Sequence, residues 1–281
     1  MTVIRFRRWG SPLATALLVV AGGLVVAPHA QASVPSRAEV TATSARNSVN
    51  VKRITRDCPA NLHVVGAGYQ INGANGAVKV SALVPTPASA PTSVQLRAVE
   101  VDPFAGKWSV TVKAVCGDVA TTVSAAKTAF NSADAKNKSA SCSGLRVIGS
   151  GYSINEPTSP NPVIGSIGMD SALTIVTIFA NEADPDAAKW SLTTLAICSP
   201  DLGQTLVTAT EAPPPDSASP EIVDAMCPAG TETAGAGFNT RGAGNVLADE
   251  LNPAPRLAET VAYEEDPYAT NWTLSTDAIC A

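Results

Sequence analysis

Apolar and polar residues alternate in three segments of the chain, each of which begins with a Trp and ends with a Cys. These segments are 108–116, 190–198 and 272–280. In the first, every second residue from Trp108 to Cys116 is apolar, and Ser109, Thr111 and Lys113 lie between them. A period of two residues is typical of a strand with one buried face. Each segment is therefore predicted to be a half-buried β-strand that ends at a disulfide.

Further strands are predicted by the density of β-branched residues and by the turn signals between them. In the first part of the chain they fall at 63–71, 77–83 and 93–101, and later parts have counterparts. Turn signals such as Asn72-Gly73 separate them. No segment after residue 32 has convincing helical amphipathicity, so the predicted fold class is all-β.

Three copies of one pattern occupy most of the chain. The leading Cys residues, Cys58, Cys142 and Cys227, are 84 and 85 residues apart. Each is followed by a Gly-x-Gly-aromatic phrase, at 66–69, 149–152 and 235–238. Later in each copy an Asp-Pro pair precedes a Trp, with six residues from Asp to Trp and eight from Trp to the closing Cys. Together with a Val-Thr/Ser-Ala phrase upstream, these spacings predict β repeats at 39–117, 122–199 and 206–281.

The six Cys residues allow fifteen disulfide pairings, but only two of them respect the repeat. Pairing within each repeat joins Cys58–Cys116, Cys142–Cys198 and Cys227–Cys280, and it is preferred. A cyclic scheme would instead join neighbouring repeats and would have to connect Cys280 back to Cys58. We expect three antiparallel, Greek-key-like repeats, each with one disulfide, forming either a pseudo-threefold prism or three tandem small β domains.

Residues 1–32 have the layout of a secretory signal peptide: Arg5, Arg7 and Arg8, then an apolar run, then Ala30-Gln31-Ala32. Their removal would change the formal charge from −5 to −8, because three Arg and no acid are lost. An acidic chain without a basic cluster lacks the charge that nucleic-acid binding requires. An even Cys number then fits an oxidising compartment. We predict a secreted protein without a membrane anchor after cleavage.

The repeat, with its Cys, Gly-x-Gly-aromatic, Trp and closing Cys, resembles repeats of uncharacterised bacterial secreted proteins. It also resembles, more distantly, the Cys-bounded repeat of vitelline membrane outer layer protein I, a three-sheet β-prism. This repeat is longer and lacks the closing Asn-Gly pattern of that family. The second resemblance implies antiparallel β structure, and neither resemblance implies an activity.

A residue that recurs in all three copies is interpreted as scaffold, because an asymmetric site needs one copy. This applies to the carboxylates of the three Glu-x-Asp-Pro motifs, which are Glu100 and Asp102, Glu182 and Asp184, and Glu264 and Asp266. Paired carboxylates bind hard cations or act in acid–base catalysis, so the six are weak Ca²⁺ candidates. An Asp before Pro is also typical of the cap of a short helical turn, which is the preferred interpretation. No metal site, catalytic residue or cofactor is predicted.

The remaining motifs offer few candidates for chemistry. The Gly-x-Gly phrases lie between strands, so they are expected to leave room for the repeat Trp rather than to bind phosphate. His63 is the only His after residue 32, and it aligns with Arg146 and Glu232, so it is interpreted as a polar, solvent-facing position. With no other His and no free Cys, neither a Ser-His-Asp triad nor a zinc site is expected. Phe104 and Tyr268 are not repeated and are the candidates for ligand contact.

Three functional hypotheses follow from these observations. The leading one is a secreted, non-enzymatic binding or structural protein whose partner is an extracellular glycan or protein. The first alternative is a lectin-like carbohydrate-binding protein. The second is a secreted hydrolase that uses carboxylates, which would require a pocket lined by unrepeated polar residues.

Overall fold

β-Strands are the only regular elements in the part of the chain that the structure describes. The structure, a computed structural model, describes residues 33–281 except 102, 157–160, 185, 212–216, 242–245 and 266–270. The predicted signal peptide therefore lies outside the described residues. Each repeat region contributes six strands, and the all-β prediction is confirmed.

The strands of the first repeat are β1 Ala38–Thr43, β2 Val51–Asp57, β3 His63–Asn72, β4 Val78–Thr86, β5 Ser93–Glu100 and β6 Ser109–Gly117. Those of the second are β7 Thr122–Lys127, β8 Ala135–Ser141, β9 Arg146–Asn155, β10 Pro162–Met169, β11 Ile175–Glu182 and β12 Ser191–Ser199. Those of the third are β13 Thr205–Thr210, β14 Glu221–Met226, β15 Thr233–Arg241, β16 Val246–Ala254, β17 Leu257–Glu264 and β18 Thr273–Cys280.

The described strands form three six-stranded antiparallel sheets, and every sheet combines two repeats. The 1/3 sheet has the order β1-β6-β3-β16-β17-β14, the 1/2 sheet β2-β5-β4-β9-β12-β7, and the 2/3 sheet β13-β18-β15-β10-β11-β8. Within a repeat, the first strand lies beside the last, which is a Greek-key-like arrangement. The third strand of each repeat pairs with the fourth strand of another, as β3 does with β16. We call these three strand pairings between repeats joints. They connect the repeats in a cycle, so the protein is a pseudo-threefold prism.

The alternative of three tandem small domains is wrong. Half of the strands of each repeat hydrogen-bond into a sheet shared with one neighbour, and the other half into a sheet shared with the other neighbour. The largest hydrophobic cluster likewise draws on all three repeats, with Val65, Ile148 and Ala234 as members. An 80-residue repeat is too small to bury both faces of its strands by itself. The sheets that it shares with its neighbours bury the surface that it would otherwise expose.

The three repeat Trp residues and the disulfides occupy the positions that the alternation predicts. Trp108, Trp190 and Trp272 are each at most 1% exposed. The disulfides are Cys58–Cys116, Cys142–Cys198 and Cys227–Cys280, which is the pairing within repeats. Three structural disulfides indicate folding in an oxidising environment.

The Gly-x-Gly phrases make room for backbone, not for the Trp ring that we expected beside them. A Cβ atom on Gly66 would lie 1.8 Å from the carbonyl oxygen of Ala234, and one on Gly149 would lie 2.3 Å from that of Val65. A Cβ atom on Gly235 would lie 2.5 Å from the carbonyl oxygen of Ile148. The first Gly of each phrase thus lets β3, β9 and β15 approach one another closely. The physical reason is that three main chains meet where the repeats join.

Candidate functional site

The Glu residues of the Glu-x-Asp-Pro motifs end the fifth strands and hold the adjoining turn. Trp108 Nε1 donates a hydrogen bond to Glu100 Oε1 at 2.8 Å, and Trp272 Nε1 donates to Glu264 Oε1 at 3.1 Å. In the second repeat, the backbone N–H of Asp186 donates to Glu182 Oε2 at 3.1 Å. These contacts link the Glu carboxylate to the repeat Trp or to the backbone of the turn, and the capping role of the Asp stays a prediction.

The Asp residues of the same motifs are only partly described. Asp102 and Asp266 lie outside the described residues, and Asp184 is exposed. Among the described residues, no group of three or more His, Cys, Asp or Glu is placed to hold a metal ion. The weak Ca²⁺ assignment of the six carboxylates stays a prediction.

A Lys that sequence reasoning missed accompanies two of the repeat Trp residues. Lys52 Nζ lies 4.5 Å from the ring centroid of Trp108, and Lys136 Nζ lies 4.7 Å from that of Trp190. At this distance the ammonium group is attracted to the face of the ring. The corresponding residue in the third repeat is Glu221. It pairs with Ala262, just as Lys52 pairs with Ala98 and Lys136 with Ala180. The Asn-x-x-x-x-Lys spacing at 47–52 and 131–136 could have revealed the pair.

The two aromatic candidates for ligand contact do not meet in the described structure. Phe104 is half-buried, packs against the main hydrophobic cluster and lies over Gly106. Tyr268 lies outside the described residues. Their role in ligand contact stays a prediction.

A groove on the outer face of the 1/3 sheet is lined in part by residues that have no counterpart in the other repeats. It has a volume of about 550 Å³, and we define it by Arg46, Gln70, Asp249, Glu250, Glu259 and Tyr263. A smaller cavity of about 200 Å³ adjoins it and shares Gln70 and Glu250. Together they cross the joint between the first and third repeats. We call this surface the acidic groove.

The equivalent positions on the other sheets show that the acids are unique to the third repeat. Glu250 is opposite Gln70 at the joint of the 1/3 sheet, where the other joints have Ala82 opposite Ser153 and Ser166 opposite Asn239. Glu259 corresponds in register to Gln95 and Thr177. Aligning the three repeats and looking for positions at which only one copy has an acidic residue could have revealed this site.

Asp249 lies in a β-bulge of β16, where the register shifts between Ala248 and Glu250. A bulge turns its extra residue away from the regular alternation. Asp249 is only 3% exposed, and its Oδ2 accepts a hydrogen bond from the backbone N–H of Gly76 at 3.2 Å. Its Oδ1 is buried without a hydrogen-bond partner. Burial raises the pKa of Asp249 to about 7, and the Gly76 hydrogen bond opposes the shift.

Glu259 is the centre of a row of carboxyl groups that crosses three strands. It faces Asp224 of β14 in register and lines the groove together with Glu250 of β16. Burial, followed by these two neighbours, raises the pKa of Glu259. Gln70 Nε2 donates to Glu250 Oε2 at 2.7 Å and extends the row to β3. Tyr263 lies at the same groove, and burial together with Asp249 and Glu250 raises its pKa.

The same surface of the 1/2 sheet carries the opposite charge. Arg53 and Arg97 face each other in register there and line a cavity of about 400 Å³. Arg97 Nη1 donates to Glu156 Oε1 at 2.8 Å, and Glu156 also binds Lys79. The pseudo-threefold scaffold therefore presents chemically different faces on these two sheets.

Asp249 makes a pH-dependent contribution to stability whose sign follows from its raised pKa. The folded state holds a proton that the unfolded state releases near pH 4, so the contribution is complete below that pH and is lost as the pH rises through about 7. We expect Asp249→Asn to become more stable relative to the wild type by about 2–3 kcal/mol between about pH 5 and about pH 8. Urea denaturation at both pH values measures this.

The control for this prediction is Asp118→Asn, because Asp118 is exposed and lies outside the acidic groove. It should keep the same stability difference from the wild type at both pH values. A wild type and an Asp249→Asn variant with parallel pH profiles would show that Asp249 ionises normally.

The comparisons with known proteins assign no family to this chain. It matches no protein-family model, and no curated protein is significantly similar to it in sequence. In the described part of the chain, no helix has the length and apolar character needed to cross a membrane.

Proposed function

We propose that the protein is a secreted, lectin-like binding protein that takes a carbohydrate in the acidic groove. The observation that carries this proposal is the single-copy lining of the groove, in which Tyr263 lies beside Asp249, Glu250 and Glu259. Carboxylate and amide oxygens accept hydrogen bonds from sugar hydroxyls, and an aromatic ring offers an apolar face with a polar tip. Binding sites combine such surfaces with a few convergent polar groups.

Three further features support the proposal. The groove and its adjoining cavity share Gln70 and Glu250, so an extended oligosaccharide has room across the joint. The disulfides and the predicted signal peptide favour an extracellular location, where glycans are abundant. The groove lies on paired strands of two repeats, and this rigid support fixes its polar groups before a ligand arrives.

A glycan array followed by isothermal calorimetry on the best ligand tests the proposal. We expect Tyr263→Ala to weaken binding by about tenfold, since the aromatic contact contributes on the order of 1 kcal/mol. Phe179→Ala is the matched control, because Phe179 is an aromatic residue, 38% exposed, on the outer face of the 2/3 sheet. Equal losses in both variants, or no glycan bound at all, would contradict the proposal.

A second candidate function, a carboxylate-dependent hydrolase, is favoured by one observation. Burial raises the pKa of Asp249 to about 7, so its carboxyl can hold a proton at neutral pH. Glycosidases use such a protonated carboxyl as a general acid, with a second carboxyl group beside it. Incubation with the bound oligosaccharide and measurement of new reducing ends distinguishes the two functions. Release that stops in Asp249→Asn would favour the hydrolase.

A further inference from the structure

We infer that the acidic groove selects glycans that carry free amino groups, with the row Asp224, Glu259 and Glu250 as the site of the ammonium. This inference rests on the proposed carbohydrate-binding function and specifies its ligand class. Three steps lead to this ligand class: the carboxyls lie on neighbouring strands, no described cation forms an ion pair with them, and a buried oxygen of Asp249 in the same groove has no hydrogen-bond partner.

The first step is that three carboxyl groups lie on neighbouring strands. Glu259 faces Asp224 directly in register between β17 and β14, and it lines the groove together with Glu250 of β16, whose charge acts on it. Like charges opposite each other in a sheet are destabilising. A ligand that places a positive charge between them removes this repulsion, so its binding free energy includes the relief.

The second step is that the cations lining the groove and the adjoining cavity make their contacts with other groups. In the described part of the chain, no Lys or Arg forms an ion pair with Asp224, Asp249, Glu250 or Glu259. Arg46 lines the groove, but its Nε donates to the carbonyl of Lys107 at 3.3 Å. Lys113, which lines the adjoining cavity, pairs with Glu39 at 3.3 Å and also donates to Asn252, the register partner of Glu259.

The third step concerns the type of cation. A divalent metal ion needs several oxygen ligands gathered around one point, and the described residues contain no such group of three acids. An ammonium group needs fewer oxygen partners, because it makes at most three hydrogen bonds and pairs stably with one or two carboxylates. Asp249 Oδ1, buried and without a partner in the same groove, is a further acceptor for a donor group of the sugar.

The experiment compares an oligomer of glucosamine with its N-acetylated counterpart by isothermal calorimetry on the full mature chain. We expect the free amine form to bind about tenfold tighter, which is the ratio that one charge-assisted hydrogen bond supplies. Added salt should weaken the amine form selectively, since the groove is open to solvent and screening acts on the charged contact.

Two variants assign the selectivity to the row. Glu259→Gln should reduce binding of the amine form about tenfold and leave the N-acetylated form unchanged, because Gln keeps the size of the side chain and loses its charge. Asp118→Asn, which removes one exposed negative charge outside the groove, should leave both unchanged. Circular dichroism of each variant confirms that it folds.

The outcomes separate this inference from the proposed function. Equal affinity for both oligomers, or a Glu259→Gln variant that binds both like the wild type, overturns the amino-sugar selectivity while glycan binding stands. Binding of a lysine-rich peptide without binding of either oligomer overturns both, and so does the failure of every glycan to bind.

Discussion

Gly66→Ala is expected to destabilise the protein by about 3 kcal/mol or more, which lowers the Tm by roughly 10 °C. The added Cβ atom would lie 1.8 Å from the carbonyl oxygen of Ala234 and 2.9 Å from its carbonyl carbon. Both atoms belong to the backbone of β15, so no side-chain rotation relieves the overlap and the contact between the first and third repeats must open. Thermal unfolding followed by circular dichroism measures the change.

Gly168→Ala is the matched control for this prediction. Gly168 also lies within a strand, but a Cβ atom there would meet only the carbonyl oxygen of Thr177, at an ordinary 3.9 Å. We expect its Tm to change by a few degrees at most. If Gly66→Ala melted like Gly168→Ala, the close approach of the strands at the centre of the prism would be wrong.

Trp190→Ala is expected to cost about 3–5 kcal/mol and to destabilise the whole prism rather than the second repeat alone. Trp190 is 1% exposed at the start of the strand that carries Cys198. From the sequence we would expect its repeat to unfold by itself. In the structure, β9 pairs with β4 and β10 pairs with β15, so loss of the second repeat removes partners from both others.

The two remaining Trp residues of the prism make this prediction measurable. Trp108 and Trp272 report on the first and third repeats by fluorescence, and circular dichroism reports on all strands. We expect both signals to fall in one coincident transition, as cooperative unfolding requires. A fluorescence transition that stayed at the wild-type temperature would show that the second repeat unfolds separately. Phe130→Ala, at a 47% exposed aromatic residue, should leave the Tm nearly unchanged.

The strands that the sequence predicts best are those that bury one regular face. The predicted strands 63–71 and 93–101 match β3 and β5 within one residue at each end, and the closing strand begins one residue after Trp108. The second strand of each repeat was not predicted, because β2, β8 and β14 are edge strands with weak apolar alternation. Their pairing partners, the fifth strands, stabilise them.

The candidate site was only partly predictable for the same reason. Tyr263 is recognisable as an aromatic residue that the repeat does not require, but Asp249, Glu250 and Glu259 are acids among many in an acidic chain. What distinguishes them is the joint between β3 and β16, which brings Gln70 and Glu250 together from positions 180 residues apart. Burial then raises the pKa of Asp249, and burial is a property of the folded surroundings.

Local periodicity and fixed spacing are enough to predict the repeat, the buried face of each strand, the preferred disulfide pairing and the all-β class. That the repeats share sheets around a cycle is visible only in the folded protein, because backbone hydrogen bonds do not depend on which side chains the paired strands carry. The role of the Gly-x-Gly phrases is likewise visible only in the folded protein. The sequence shows that glycine leaves space there, and the structure shows that the backbone of a neighbouring repeat fills it. The acidic groove depends on the sequence and on the fold. Its acids are residues of the third repeat that the other repeats lack, and the joint with the first repeat brings them into one surface.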